Sequence, residues 1–237
     1  VTKKQGIVGI VALAAGLPVV SSPARAQSSD EPVEPAPPSS DVPRPAAPPA
    51  GFHEHDGLYI RGAIGPAVLH ASWKEGTYDW SVTGTGFAIA VALGGSVLPN
   101  LVIYAELTHS VASDPTRKVD DLSTTLTNYD VDLAGFGPGA EYYLVPANLY
   151  FSGTIAFSKL TSRYNGPSGS EGTGSDLAIF TNTGIGATLM VGKEWWVSAN
   201  WGMGVAGIVH LASMKITNED SRVTAEALSL VLSATYN

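Results

Sequence analysis

Residues 192–207 read GKEWWVSANWGMGVAG. Trp195, Trp196 and Trp201 flank a short polar turn, Ser198-Ala199-Asn200, and beyond it small residues alternate with larger apolar ones. A period of two is the mark of a β-strand whose two faces meet different surroundings. Three indoles at one level beside a turn suit a boundary between oil and water, because each ring has an apolar body and an N–H that needs a partner. Whether that boundary exists depends on whether the rest of the chain repeats the hairpin.

It does so in part by sequence and more fully by pattern. EYYLVPANLY at 141–150 shares with EWWVSANW at 194–201 a glutamate, two aromatics, a turn ending in Asn and a further aromatic. From Leu58 onward there is no amphipathic helix of useful length. Instead, runs with every second residue apolar occupy 57–70, 84–97, 101–112, 129–145, 149–162, 177–197, 201–215 and 224–236. Each is longer than the roughly 9–11 residues that a tilted strand needs to cross a bilayer. Tight turns at Leu98-Pro99-Asn100, Pro146-Ala147-Asn148 and Ser198-Ala199-Asn200 alternate with longer polar links at 72–83, 113–128, 163–176 and 216–223. This alternation predicts an all-β chain with an eight-stranded antiparallel up-and-down transmembrane β-barrel over 57–237. Tyr142, Tyr143, Tyr150, Trp195, Trp196 and Trp201, at the turn ends of successive hairpins, are expected to form its interfacial girdle.

The two faces of each run separate by chemistry. Leu101, Ile103, Ala105 and Leu107 share one face of their segment, and Tyr104, Glu106, Thr108 and Ser110 the other. Arg61 stands opposite Leu58, Ile60 and Ile64, and Glu141 opposite Tyr142 and Leu144. A cation on a lipid face costs about 2–4 kcal/mol at the midplane, so Arg61, Glu106 and Glu141 are expected to point inward as a charge network. Side chains nearly fill a barrel of eight strands, so the trio reads as a hydrogen-bonded plug, with a gated ion path as the alternative.

Composition agrees with export. Charged residues make up 14% of the 237-residue chain, hydrophobic ones 44%, and the net charge of -8 offers no diffuse field for nucleic acid. No Cys is present, which removes disulfides and thiol chemistry. Residues 1–26 carry Lys3 and Lys4, an apolar stretch from Ile7 to Val20 and an Ala24-Arg25-Ala26 site, the pattern of a signal peptide cleaved after Ala26. Residues 27–56 are Pro-rich with almost nothing to bury, and are expected to be a disordered periplasmic linker.

Signal peptide, linker, eight alternating runs and the KEWWVSANWGMGVAG hairpin together resemble the small eight-stranded outer-membrane barrels of Gram-negative bacteria, the OmpA/OmpX/OmpW-like group. The resemblance covers residues 57–237. It implies residence in the outer membrane, assembly by the outer-membrane insertion machinery, contact with outer-membrane lipid and lipopolysaccharide, and external loops available to a ligand or surface. A monomer without cofactor is expected, with a structural or surface-interaction role. A narrow pore, a lipid-modifying enzyme and a soluble ligand-binding barrel are the alternatives.

Other chemistry finds little support. His53 and His55 supply half a metal site at most, and the carboxylates of DPTRKVDD and GSEGTGSD lack the ordered spacing of a calcium loop. No metal site and no catalytic residue is assigned. His210 with Ser213, and His109 with Ser110, fall on opposite strand faces, so only a His–Ser pair drawn from different strands stays open.

Overall fold

The computed structural model describes residues 57–145, 147–166, 181–217 and 220–236. The expected signal peptide at 1–26 with its expected cleavage after Ala26, the expected linker at 27–56, His53 and His55, and most of the 163–176 link lie outside the described residues.

Among the described residues nine strands follow in order: β1 (Leu58–Glu75), β2 (Tyr78–Leu98), β3 (Leu101–Val119), β4 (Leu122–Thr125), β5 (Tyr129–Leu144), β6 (Leu149–Tyr164), β7 (Gly184–Trp196), β8 (Trp201–Lys215) and β9 (Arg222–Tyr236). Eight of them close a ring. β1 pairs with β2 on one side and β9 on the other, and β2–β3, β3–β5, β5–β6, β6–β7, β7–β8 and β8–β9 complete it, all antiparallel. The chain is therefore an eight-stranded antiparallel barrel, with β4 added to the far end of β3. Asn100 and Asn148 take left-handed conformations (φ 64° and 48°) in the tight turns, which asparagine accepts at low cost.

The strands outrun the sequence boundaries at the end carrying the long links. Residues 72–83, expected as a loop, continue the β1–β2 ladder through Ser72–Ser81, Trp73–Trp80 and Lys74–Asp79 to Glu75–Tyr78. Gly76 (φ 61°) and Thr77 alone make the turn. Much of 113–128 is likewise strand: β3 runs on to Val119 and pairs with β4. Its Asp114-Pro115 is a bulge, where the β2–β3 register shifts between Thr83 and Thr85 and Asp114 has φ 46°. A bulge is where a strand accommodates a proline, which has no N–H for the ladder. These segments pass for loops because their outward positions are polar, while Trp73, Val82 and Leu126 within them are buried in an apolar core.

Proline also interrupts two ladders lower down. The β1–β9 pairing passes from Ile64–Leu232 to Ala67–Ser229, skipping Gly65-Pro66, and the β5–β6 pairing skips Gly137-Pro138. At each gap the neighbouring carbonyl closes on the glycine: an added Cβ would lie 1.9 Å from the Leu230 oxygen at Gly65 and 1.8 Å from the Ile155 oxygen at Gly137. Only glycine fits there.

Outward positions form a continuous apolar band. Ile64, Leu107, Phe136, Ile155, Leu189 and Leu230 are all exposed, Ile155 to 71%. On β1 the band runs from Leu58 to Val68, and beyond it stand His70, Ser72 and Lys74. At about 3.3 Å per residue and a tilt of about 40°, that stretch rises about 25 Å.

Candidate functional site

Alternation turns the polar members of each strand into the barrel, and at the short-turn end they converge on Arg61. The structure brings Arg61, Glu106 and Glu141 together, all essentially inaccessible to solvent. Arg61 donates from Nη1 to Glu141 Oε2 and from Nη2 to Glu106 Oε1 at 3.2 Å. The remaining carboxylate oxygens are also taken, Glu141 Oε1 by the Tyr59 hydroxyl at 2.8 Å and Glu106 Oε2 by Thr154 Oγ1 at 2.7 Å. The guanidinium lies 5.4–5.7 Å from the ring centroids of Tyr59, Tyr104 and Tyr150, a cage that compensates a desolvated cation.

A second knot lies beside it. Glu194 accepts from Thr235 Oγ1 and from the Tyr143 hydroxyl at 3.3 Å. Three buried carboxylates thus share the short-turn end of the interior with one buried arginine among the described residues. The repeat of EYY and EWW carried the signal for this, because it sets Glu194 where Glu141 stands one hairpin earlier.

The same parity corrects the expected girdle. Tyr143 (1% exposed) and Tyr150 (0%) point into the barrel and pack against each other with centroids 5.6 Å apart and ring planes tilted by 44°. Residues that follow one another in a strand cannot share a face, so with Tyr142 outward Tyr143 must go inward. Trp196 is half-buried for the same reason beside an exposed Trp195. The outward aromatics at this end are Tyr142 and Phe151, side by side in register, Trp195 and Trp201, with Tyr236 edge-on to Trp201.

Midway along the interior, the two strands that flank β7 bring a histidine and a serine into contact. His210 Nε2 lies 3.0 Å from Ser158 Oγ and its Nδ1 3.4 Å from Thr108 Oγ1. A Cβ at Gly135 would stand 2.7 Å from the imidazole, so the glycine makes its space. The partner on Nδ1 is a hydroxyl, and the side chains of all three are buried. In this setting the group ties β3, β6 and β8 together.

Toward the other end the interior turns apolar. Leu69, Leu133, Leu160, Met214 and Trp73 belong to one buried cluster, where Trp73 stacks on Trp80 at 5.8 Å. Nothing in the alternating pattern distinguishes this half from the polar one, since both are simply the inward face. On the outside, the apolar band ends at a charged cluster: His109 Nε2 lies 3.1 Å from Asp132 Oδ1, and Arg163 Nη2 3.9 Å from Asp132 Oδ2.

Comparison with known proteins finds architecture and no family. No family model and no curated protein matches the chain. Among solved structures it is similar to Neisserial surface protein A, with 14% identity, TM-score 0.49, and coverage of 76% of this chain and 96% of that one. It is also similar to the outer membrane protein OprG from Pseudomonas aeruginosa, with 13% identity, TM-score 0.43, and 78% and 98% coverage. A third is Ail, the attachment invasion locus protein of Yersinia pestis, solved with the heparin analogue sucrose octasulfate, with 12% identity, TM-score 0.37, and 75% and 99% coverage. At these scores the barrel rests on its own ladder pairings.

Proposed function

We propose that this chain spans the outer membrane of a Gram-negative cell as a closed barrel, its short turns on the periplasmic side, and serves as a scaffold for the β-hairpins it holds outside. One observation carries the placement: the large apolar side chains of the ring face outward in a band about 25 Å tall, the thickness of such a membrane's hydrocarbon region. In water such a surface would drive aggregation. The side chains that need water or a partner face inward, where Arg61, Glu106, Glu141 and Glu194 are hydrogen-bonded. A soluble ligand-binding barrel would have the opposite arrangement.

The outer leaflet of that membrane is the surrounding of the long-link end, so lipopolysaccharide is the partner nearest to its hairpins, and the insertion machinery the route by which it arrives. A structural or surface-interaction role fits an interior filled by its own side chains. The pore reading would need a water path through the Leu69, Leu133 and Leu160 cluster.

Cell fractionation tests the placement. The protein is expected in the outer-membrane fraction, extractable by detergent, with unboiled and boiled samples migrating differently on a gel. Recovery as a monomer in detergent-free buffer overturns it.

A further inference from the structure

Above the apolar band, on the outside of the barrel, β9, β1, β2 and β3 lie side by side and carry two rows of polar side chains. The first row is set by the register pairs Ser72–Thr224, Ser72–Ser81 and Ser81–Lys118, giving three hydroxyls and a lysine across four strands. One alternation further out, Lys74 faces Asp79, with Arg222 and Asp120 at the flanks. Together they line an open groove of about 620 Å³, a size suited to a ligand of a few rings.

The charges in it are not equally engaged. Lys74 Nζ holds Asp79 Oδ1 at 3.0 Å, and Asp120 Oδ1 accepts from the Asp79 backbone N–H at 3.0 Å. Lys118 and Arg222, on opposite sides of the groove, make no ion pair with any described residue. The groove therefore offers two available cations flanking a floor of hydroxyls. Strands about 4.8 Å apart space those hydroxyls at the width of a sugar ring. Cations select phosphate, and hydroxyls that donate and accept select a polyol.

We infer that this groove binds a phosphorylated saccharide, and that its occupant is the headgroup region of an outer-leaflet glycolipid. The inference rests on the outer-membrane placement proposed above. The register supplies the match in height: Ser72 and Lys74 come two and three outward positions after Val68, the last apolar residue of the band on β1, where the sugar and phosphate layer of such a lipid begins.

The experiment uses the full chain purified in a non-ionic detergent. Deep-rough lipopolysaccharide and the same molecule after enzymatic dephosphorylation are titrated against it. Wild type is expected to bind the phosphorylated form about tenfold more tightly than the dephosphorylated one, and Lys118→Gln/Arg222→Gln to lose most of that preference. Lys159→Gln/Arg163→Gln, which removes two cations from a different sector of the rim, is expected to keep it. All variants should retain heat-modifiable migration, since the substituted side chains are outside the core; Lys118→Ala and Arg222→Ala singly serve if the double variant does not. Equal binding of the two lipopolysaccharide forms, unchanged binding by the groove variants, or loss confined to the Lys159 and Arg163 variant overturns the groove. Absence of the protein from the outer membrane overturns both readings, whereas an outer-membrane protein whose binding ignores Lys118 and Arg222 overturns this one alone.

Discussion

Arg61 shows what a single buried charge requires. It is ion-paired to two carboxylates and surrounded by three tyrosines, and those carboxylates have their other oxygens satisfied by Tyr59 and Thr154. Removing the cation alone leaves Glu106 and Glu141 facing each other without compensation. Arg61→Ala is therefore expected to cost about 3–5 kcal/mol in urea unfolding from phospholipid vesicles. Replacing the trio together, as Arg61→Met with Glu106→Gln and Glu141→Gln, should recover most of that loss, because no uncompensated charge remains. A loss below about 1 kcal/mol for Arg61→Ala would show that the network contributes little. Sequence alone places these three residues on inward faces. Alternation also puts Tyr59 beside Arg61 on β1, but it does not bring Tyr104 and Tyr150 to the guanidinium, since that depends on how β1, β3 and β6 stand around the ring.

At the scale of the strand, one face has to satisfy two environments in succession. On β9, Leu228, Leu230 and Leu232 face outward within the band, while Thr224 on the same face lies beyond it beside Ser72. Leu230→Arg is expected to destabilise the barrel in vesicles by about 2–4 kcal/mol, and Thr224→Arg by no more than about 1 kcal/mol. Equal costs at the two positions would mean that the apolar band does not sit in lipid as drawn. The element scale is also where the sequence boundaries fell short. SWKEGTYDWSVT contains enough Gly, Asp and Lys to pass for a loop, yet Trp73, Trp80 and Val82 are inward alternates of an uninterrupted hairpin. A period of two is hard to see when the outward members are charged and the inward members bury against strands far away in sequence.

The whole molecule divides along its axis: a polar, hydrogen-bonded interior at the short-turn end and an apolar one at the other. In the apolar half Leu133, Leu160, Leu69 and Met214 belong to one buried cluster, which offers water no hydrogen-bonding partner along that stretch. Purified protein in planar bilayers is accordingly expected to give no unitary current. A steady conductance that changes when Arg61 or Glu106 is neutralised would favour the pore instead. The candidate contacts of this chain lie on its outer surface: the groove formed by β9, β1, β2 and β3 is open, while His210 and Ser158 are buried among strands.

The sequence by itself determined the strand periodicity, the tight turns, the closure count of eight and the inward side of Arg61, Glu106 and Glu141, because each follows from local spacing and from the cost of charge on an apolar face. Only the tertiary structure decided how far the hairpins extend, that Tyr143 and Tyr150 turn inward onto the charge network, that Ser158 meets His210, and that Lys118 and Arg222 share a groove. Those depend on register between strands as far apart in sequence as β1 and β9, and register is set by the sum of packing around a closed ring.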